Sequence, residues 1–427
     1  MKRRGGIDIV PPLERFRVLD LTEGGYNLGA KMLADLGADV LRIEPPGGSP
    51  TRLAPPFYHD EPHPEKSLFW FAFNLNKRGI TLNLEAADGR ELFRRLASKA
   101  HIVMESHTPG HLEGLGVGYP QLSRLNPGLV FTSVTPFGQT GPFSKFKATD
   151  IVSWAQGGML YLSGDQDRPP VRISFPVSEA VAGAQAAAGT MHALWHAVNT
   201  GEGQQVDVSA QEAVLWLTIL EPPYPILSGY HLRREGIYRG FEFVNWRQLY
   251  PCQDGYVSIY LIGGPGGAFS MRALVKWMDE EGIATQELKE KEWEKWSPGD
   301  LFRLGEKRAL EEIRKVEEAT EKLFARYTKG EIFDRAVRDR ILVAPCYTAA
   351  DLAGEVQLQA RDFWQEVDHP ELGGKILYPG ALVKLSGTPI LPGRRAPLIG
   401  EHNQEIYCGE LGLSRQDYAY LRSVGAI

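Results

Sequence analysis

Only three cysteines, Cys252, Cys346 and Cys408, occur in 427 residues. Few, odd in number and widely spaced, they suggest neither a disulfide framework nor a metal knuckle, and they fit a reducing cytoplasm. No uninterrupted apolar run approaches the length of a membrane span. The opening Met1-Lys-Arg-Arg-Gly-Gly-Ile-Asp-Ile has basic residues but lacks the apolar core of a signal peptide. There is no long basic run and the net charge is −6, which argues against nucleic acid or an anionic membrane as partner. The phosphate-binding loops G-x-x-x-x-G-K-[ST] and G-x-G-x-x-G are missing between strand and helix, as is a G-x-S-x-G elbow, so those nucleotide and hydrolase chemistries have no support. His107 and His111 have the spacing of paired helical ligands, but Pro109-Gly110 between them opposes that helix, and no metal is expected.

What is present is the composition of a folded globular protein, 43% hydrophobic with mixed charges. A chain of this length exceeds one hydrophobic core, so two domains, or one large domain with an insertion, are expected. The first two hundred residues alternate between strand and helix: strands at 17–21, 39–44, 79–84, 101–105, 129–136 and 205–209, helices at 28–36, 85–99 and 179–198. That alternation predicts an α/β fold with a mainly parallel sheet covered on both faces, and sites in such sheets gather at the carboxyl ends of strands. From about Val244 the pattern changes to a hairpin, 249–260, turning at Gln253-Asp-Gly255. A glycine run, Gly263-Gly264-Pro265-Gly266-Gly267, follows, then a helix from Ser270 and a charged helical stretch to Tyr327. The glycine run reads as a strand-to-helix turn or as a mobile lid over a pocket. Strand character is expected from Ala336 to Tyr347, with short strands and turns beyond Asp351. The resulting division is a large domain from 1–224 and 336–427 with a smaller α+β domain inserted at 225–335.

Glu179 opens an alanine- and glycine-rich stretch, 175–189, beyond the polar turn 164–170. Ser178 reads as the N-cap and Glu179 as the first helical residue, where free N–H groups and the helix dipole favour a carboxylate. Two readings follow: dipole compensation, common for a glutamate in a first turn, or an ionised carboxylate held beside open space for nucleophilic catalysis. Trp154, Tyr161 and Phe175 lie close by in sequence and could line a pocket for a bulky acid or simply pack in the core.

The order of several motifs resembles CoA-transferase family III. They are Val18-Leu-Asp-Leu-Thr22, Leu33-Ala-Asp-Leu-Gly-Ala-Asp-Val40, Arg42-Ile-Glu44 and Asn74-Leu-Asn-Lys-Arg-Gly-Ile-Thr-Leu-Asn-Leu84. Pro109-Gly110 with Leu115-Gly-Val-Gly-Tyr119, Phe137-Gly-Gln-Thr-Gly-Pro142, Gly201-Glu-Gly-Gln-Gln-Val-Asp-Val208 and Leu398-Ile-Gly-Glu-His-Asn403 continue the series. The resemblance runs from about residue 16 to the C-terminus. It implies a Rossmann-like large domain built from both chain ends, a small middle domain, and two subunits threaded through one another as an interlocked dimer. It also implies that CoA moves from an acyl-CoA donor to a carboxylic acid acceptor through enzyme-bound anhydride and thioester intermediates. No permanently bound cofactor is expected; the CoA thioester is substrate.

In that family the nucleophile is an aspartate, and its position matches Glu179, anchored by Lys147-Ala-Thr-Asp150, Gly157-Gly158 and Ala182-Gly183. The resemblance assigns CoA contacts to Lys77, Arg78, Ser106, His107, Lys147 and Asp150, and the lid to Gly263, Gly264, Gly266 and Gly267. The departures are instructive. The usual Gln/Ala-Gly-Pro turn after the first strand is Glu23-Gly-Gly-Tyr-Asn27 here; Pro45 replaces a basic residue; Ser106-His-Thr108 replaces Asn-Phe-Arg/Lys; and Gly114 replaces an arginine. Some members are hetero-oligomers in which one subunit carries the aspartate and its paralogue does not, benzylsuccinate CoA-transferase being an example. The chain is therefore expected either as such a subunit beside an Asp-bearing paralogue or as a homodimer using Glu179. A non-catalytic scaffold is a further alternative, and an acyl-CoA racemase is disfavoured because Thr149 stands where those enzymes have histidine.

Overall fold

In the computed structural model, which describes residues 3–4, 7–8, 10–219, 223–229, 231–388, 390 and 393–427, short apolar segments near the start of the chain pair as parallel strands. They are β1 (Arg17–Leu21), β2 (Asp39–Glu44), β3 (Arg78–Thr81), β4 (Ile102–Glu105), β5 (Val130–Thr135) and β6 (Gln205–Ser209). The sheet order is β3-β2-β1-β4-β5-β6, parallel throughout. The chain winds outward from β1 to β3 and then outward from β4 to β6, so the order reverses between β1 and β4. Crevices at such a reversal are where open α/β sheets bind ligands.

Nearly every residue of the central strands is buried, because both faces are covered. Val18, Val40, Ile102, Met104 and Val130 face one side, packed by α1 (Asn27–Asp35) and α4 (Val177–Thr200). Leu19, Leu41, Val103 and Phe131, one residue on, face the other, packed by α2 (Ala87–Ala97) and by the C-terminal residues Ile406, Tyr407, Leu421 and Ile427. The period of two along each strand decides which core a side chain enters.

The small residues of α4 have a packing reason. A Cβ on Gly29 would lie 2.5 Å from the Gly183 carbonyl oxygen, and one on Gly183 would lie 3.0 Å from that of Tyr26. The backbones of α1 and α4 thus touch with no side chain between them. This contact seats the first turn of α4 against the loop that follows β1.

The chain divides into two compact units. The larger comprises Met1–Tyr161, Val171–Leu232 and Val356–Ile427; the smaller comprises Leu162–Pro170 and Arg233–Glu355. In the smaller unit, Leu249–Cys252 and Gly255–Ile259 form the expected hairpin, and Val343–Cys346 pairs antiparallel with the second strand. Its core holds Trp246, Tyr250, Trp277, Trp293 and Trp296.

Three expectations need correction. The glycine run is not a loop: with Gly263 as N-cap, Gly264–Glu280 is one helix that begins inside it. A Cβ on Gly263 would meet the Trp293 carbonyl oxygen at 2.4 Å and one on Gly267 the Ile262 carbonyl oxygen at 2.1 Å, so these two glycines serve close packing, whereas Gly266 has open space around it. Ala336 belongs to the helix Lys329–Asp339 rather than to a strand. Beyond Asp351 the chain includes the helix Arg415–Ser423 as well as the hairpin Trp364–His369 with Gly374–Pro379. Among the described residues no helix is long and apolar enough to cross a membrane.

Candidate functional site

The carboxyl ends of β1 and β4 are joined by a hydrogen bond from the Glu23 N–H to Ser106 Oγ, 2.9 Å. Beyond Glu23 the chain makes one short turn, Gly24–Tyr26, with Gly24 in the left-handed region at φ 59°. Glycine is the residue that adopts this conformation without steric cost. The turn lies directly on the first turn of α4. The Gly25 N–H donates to Glu179 Oε2 at 2.8 Å, while Oε1 accepts from no protein donor among the described residues.

Glu179 is half-buried, and burial pushes its carboxyl above the usual range. The Gly25 N–H opposes that shift and the nearby Asp150 carboxylate adds to it. Desolvation outweighs the single N–H donor, so this carboxyl is harder to ionise than one at an open helix end. Tyr26 is also raised, by burial first and then by Glu179 and Asp150.

Ser178 is not the N-cap. The helix starts at Val177, and Pro176 before it has no side-chain donor or acceptor to offer. The capping is done from a distance by Asp150, first residue of α3 (Asp150–Gln156), whose Oδ1 accepts from the Ser178 N–H at 2.8 Å and from Ser178 Oγ at 2.6 Å. Arg172 approaches the other oxygen of Asp150 at 4.0 Å. Asp150 therefore sits beside Glu179 as a structural carboxylate tied to Ser178.

Two cations expected at a CoA site are committed elsewhere. Lys77 is fully buried, its Nζ donating to Asp20 Oδ2 at 2.8 Å, Asn74 Oδ1 at 2.9 Å and the Asn27 carbonyl at 3.2 Å. Burial lowers its pKa to about 8 despite the attraction of Asp20. Burial would raise Asp20 in turn, but Lys77 and Arg42 hold it below the usual range. Arg78 is bound to Asp39 at 2.7 Å and 2.9 Å, and to Glu405 and Glu410 at 2.5 Å and 2.8 Å. All three Lys77 donors are taken, and four of the five N–H groups of Arg78 are engaged, so most of both charges is neutralised within the fold.

The remaining predicted residues are more open. Lys147 is exposed and makes no ion pair among the described residues. His107 is half-buried, its ring stacked on His111 at 5.1 Å between centroids, and its backbone N–H donates to Glu105 Oε2 at 2.7 Å. No group of three or more metal-ligating side chains occurs among the described residues. Of the three aromatics near the motifs, Trp154 is buried, whereas Tyr161 and Phe175 are exposed; Phe175 stacks on Phe73 at 6.1 Å.

Sequence reasoning missed the clamp under the glycine turn. Glu23 Oε1 accepts from Arg42 Nη2 at 2.6 Å, and Oε2 accepts from the hydroxyls of Ser49 and Thr51. Glu23 was visible as a departure from the family turn and Arg42 as part of a motif, but Ser49 and Thr51 come from the segment after β2, where no motif marked them.

A sequence description for CoA-transferase family III matches residues 13–403. The chain is 36% identical over 422 residues to the subunit BbsE of succinyl-CoA:(R)-benzylsuccinate CoA-transferase from Thauera aromatica, covering 97% of each chain. It is 30% identical to formyl-CoA:oxalate CoA-transferase from Streptomyces avermitilis, covering 97% of this chain and 99% of that one. Among solved structures it is similar to a CaiB/BaiF family protein from Brucella suis, with TM-score 0.77 and 24% identity over 93% of this chain and 99% of the other.

Proposed function

This chain belongs to CoA-transferase family III, and from that premise we propose that it serves as the paralogous partner subunit of a heteromeric CoA-transferase whose nucleophilic aspartate lies in the sister chain. The observation that carries the proposal is the 36% identity, across 97% of both chains, to a protein named as a subunit of a CoA-transferase. Three features of the chain support it. Glu179, one methylene longer, stands where the family resemblance places the aspartate, with its carboxyl pKa raised by burial. Lys77 and Arg78 are spent on internal carboxylates, leaving Lys147 as an open cation for the anionic end of CoA. Large apolar side chains of α4 and of α5 (Ala210–Leu217) stand in solvent, Trp195 at 73% and Trp216 at 62% exposure, as expected of a surface that another subunit covers.

In the assembled enzyme the partner's aspartate attacks the donor thioester, giving a mixed anhydride and CoA thiolate. The thiolate attacks the aspartyl carbonyl, releasing the donor acid and leaving an enzyme-bound CoA thioester. The acceptor carboxylate attacks that thioester and expels the thiolate, which takes the acceptor acyl group from the second anhydride and frees the aspartate. Each step exchanges one acyl bond for another, so no oxidant, metal or external base is required.

A second reading has Glu179 itself as the nucleophile of a homodimer. It is favoured by the arrangement of the carboxyl group, with Oε2 held by the Gly25 N–H and Oε1 without a protein donor. One experiment separates the two. The chain is purified alone and together with an Asp-bearing paralogue, and CoA transfer from succinyl-CoA to a panel of acids is measured, followed by peptide mass analysis for adducts on Glu179. Activity only in the mixture, with Glu179 unmodified, is expected; activity of the chain alone with a Glu179 adduct would overturn the subunit proposal.

A further inference from the structure

We infer that Thr51 is a positioning residue for the Glu179 carboxyl, acting through the Gly24–Gly25 turn. The inference rests on Glu179 being the carboxyl group of the site, but not on whether this chain or its partner carries the nucleophile. Thr51 is buried, and its hydroxyl has two partners. It accepts from the Gly24 N–H at 3.0 Å and donates to Glu23 Oε2 at 2.5 Å. One hydroxyl thus holds the turn by its backbone and by the side chain that precedes it. The next N–H along the chain, that of Gly25, is the donor to Glu179 Oε2.

The support beneath Thr51 is rigid. Thr51 lies in the short helical turn Pro50–Leu53, capped by Ser49, whose hydroxyl accepts from the Thr51 N–H at 3.0 Å. Glu44, at the end of β2, accepts from the Ser49 N–H at 2.8 Å and is gripped on both oxygens by Arg52, at 2.6 Å and 2.9 Å. Arg52 is buried with its guanidinium 3.9 Å from the centre of the Trp70 ring. Glu23 is anchored from the other side by Arg42, buried within the sheet. Charge-assisted bonds of this kind are short and resist rearrangement. The linkage therefore runs from β2 through Thr51 to the Gly24 N–H, and the adjacent peptide fixes the direction of the Gly25 N–H.

The consequence concerns protonation. The Gly25 N–H is the contact that opposes the rise of the Glu179 pKa. A looser turn weakens that hydrogen bond, and the carboxyl moves further toward its protonated form. A threonine with only a packing role would leave the Glu179 titration unchanged when removed. Thr51→Val keeps the shape and changes no charge, so it removes the two hydrogen bonds alone.

The test follows the carboxyl carbon of Glu179 by NMR across pH, in the full chain labelled with ¹³C-glutamate and assigned by its loss in Glu179→Gln. Thr51→Val is expected to raise the apparent pKa of Glu179 by about one unit, as loss of a bond to the charged form does. Thr51→Ser is expected to restore it, and Leu122→Val, in the core on the opposite face of the sheet, to leave it unmoved. Should Thr51→Val prove too unstable, Ser49→Ala, which removes the second hydroxyl on Glu23 Oε2, is expected to shift the titration in the same direction. A Glu179 titration equal to the parent's in these hydroxyl-deleted variants would overturn the inference. Catalysis is not read, so a titration that moves in a chain inactive with every partner would uphold the positioning role while the transfer proposal fell.

Discussion

Gly24 and Glu179 are so close that a methyl group on Gly24 would stand 2.6 Å from Glu179 Oε2. The neighbouring Gly25 is as tight, since a Cβ there would lie 2.8 Å from the Cβ of Glu179. The glycine pair and the glutamate therefore form one packed unit, in which the longer acid occupies the space that side chains on the turn would take.

Gly24→Ala should destabilise the fold by roughly 1–2 kcal/mol through its left-handed φ, with the contact on Glu179 adding to it. In a Glu179→Ala background the contact term disappears while the φ term stays. Urea unfolding of the four chains of this cycle should show a coupling of about 1 kcal/mol; strict additivity would mean that the two residues do not touch in solution.

The pH dependence of stability carries a definite sign at Glu179. Its pKa is raised in the folded chain, so between the ordinary value of 4.5 and the raised one the folded state binds more protons than the unfolded state. Its favourable contribution is complete below the unfolded value and is lost as pH rises through the folded one. Glu179→Gln, which keeps an acceptor for Gly25, should gain stability over the parent across that window and hold a constant advantage above it. Unfolding free energies from about pH 4 to about pH 8 check this, and a flat difference would remove the shift.

Lys77→Met should cost about 3–5 kcal/mol, because it leaves Asp20 buried with one cation fewer. The effect should appear in unfolding midpoint alone. An increase in KM for the CoA thioester in the folded variant would show instead that Lys77 reaches the ligand.

Lys147→Ala should do the reverse. An exposed lysine without an internal partner contributes within about 0.5 kcal/mol to stability, whereas its loss should raise KM for the CoA thioester about three- to tenfold at low salt and less at high salt. Steady-state kinetics of the assembled enzyme at two ionic strengths provide the measurement.

Trp195→Glu and Trp216→Glu place charge on the exposed apolar surface of α4 and α5. Both are expected to shift sedimentation toward the monomer while circular dichroism stays unchanged. Retention of the parent assembly by both variants would place the subunit contact elsewhere.

The strands were legible because each is a short local pattern: Arg17–Leu21 and Asp39–Glu44 were expected with the same bounds that the structure has. The hairpin at Gln253–Gly255 was legible for the same reason, since the turn residues sit between two apolar runs. The start of α4 was misread by two residues because its cap is Asp150, 28 positions earlier, and no window around Ser178 contains it. The glycine run at 263–267 was misread because glycine's freedom suggests a loop, whereas here its lack of a side chain admits the backbones of Ile262 and Trp293.

What the order of residues determined by itself is the parallel α/β architecture and membership of CoA-transferase family III, for periodicity and motif order are properties of neighbours along the chain. What only the tertiary structure decided is which charges remain available. Lys77 meets Asp20 across 57 positions and Arg78 meets Glu410 across 332, pairings created by strand order and by the return of the C-terminus onto the sheet. A cation's availability depends on the distance to its nearest anion and on how dry that contact is, and neither quantity exists until the chain has folded.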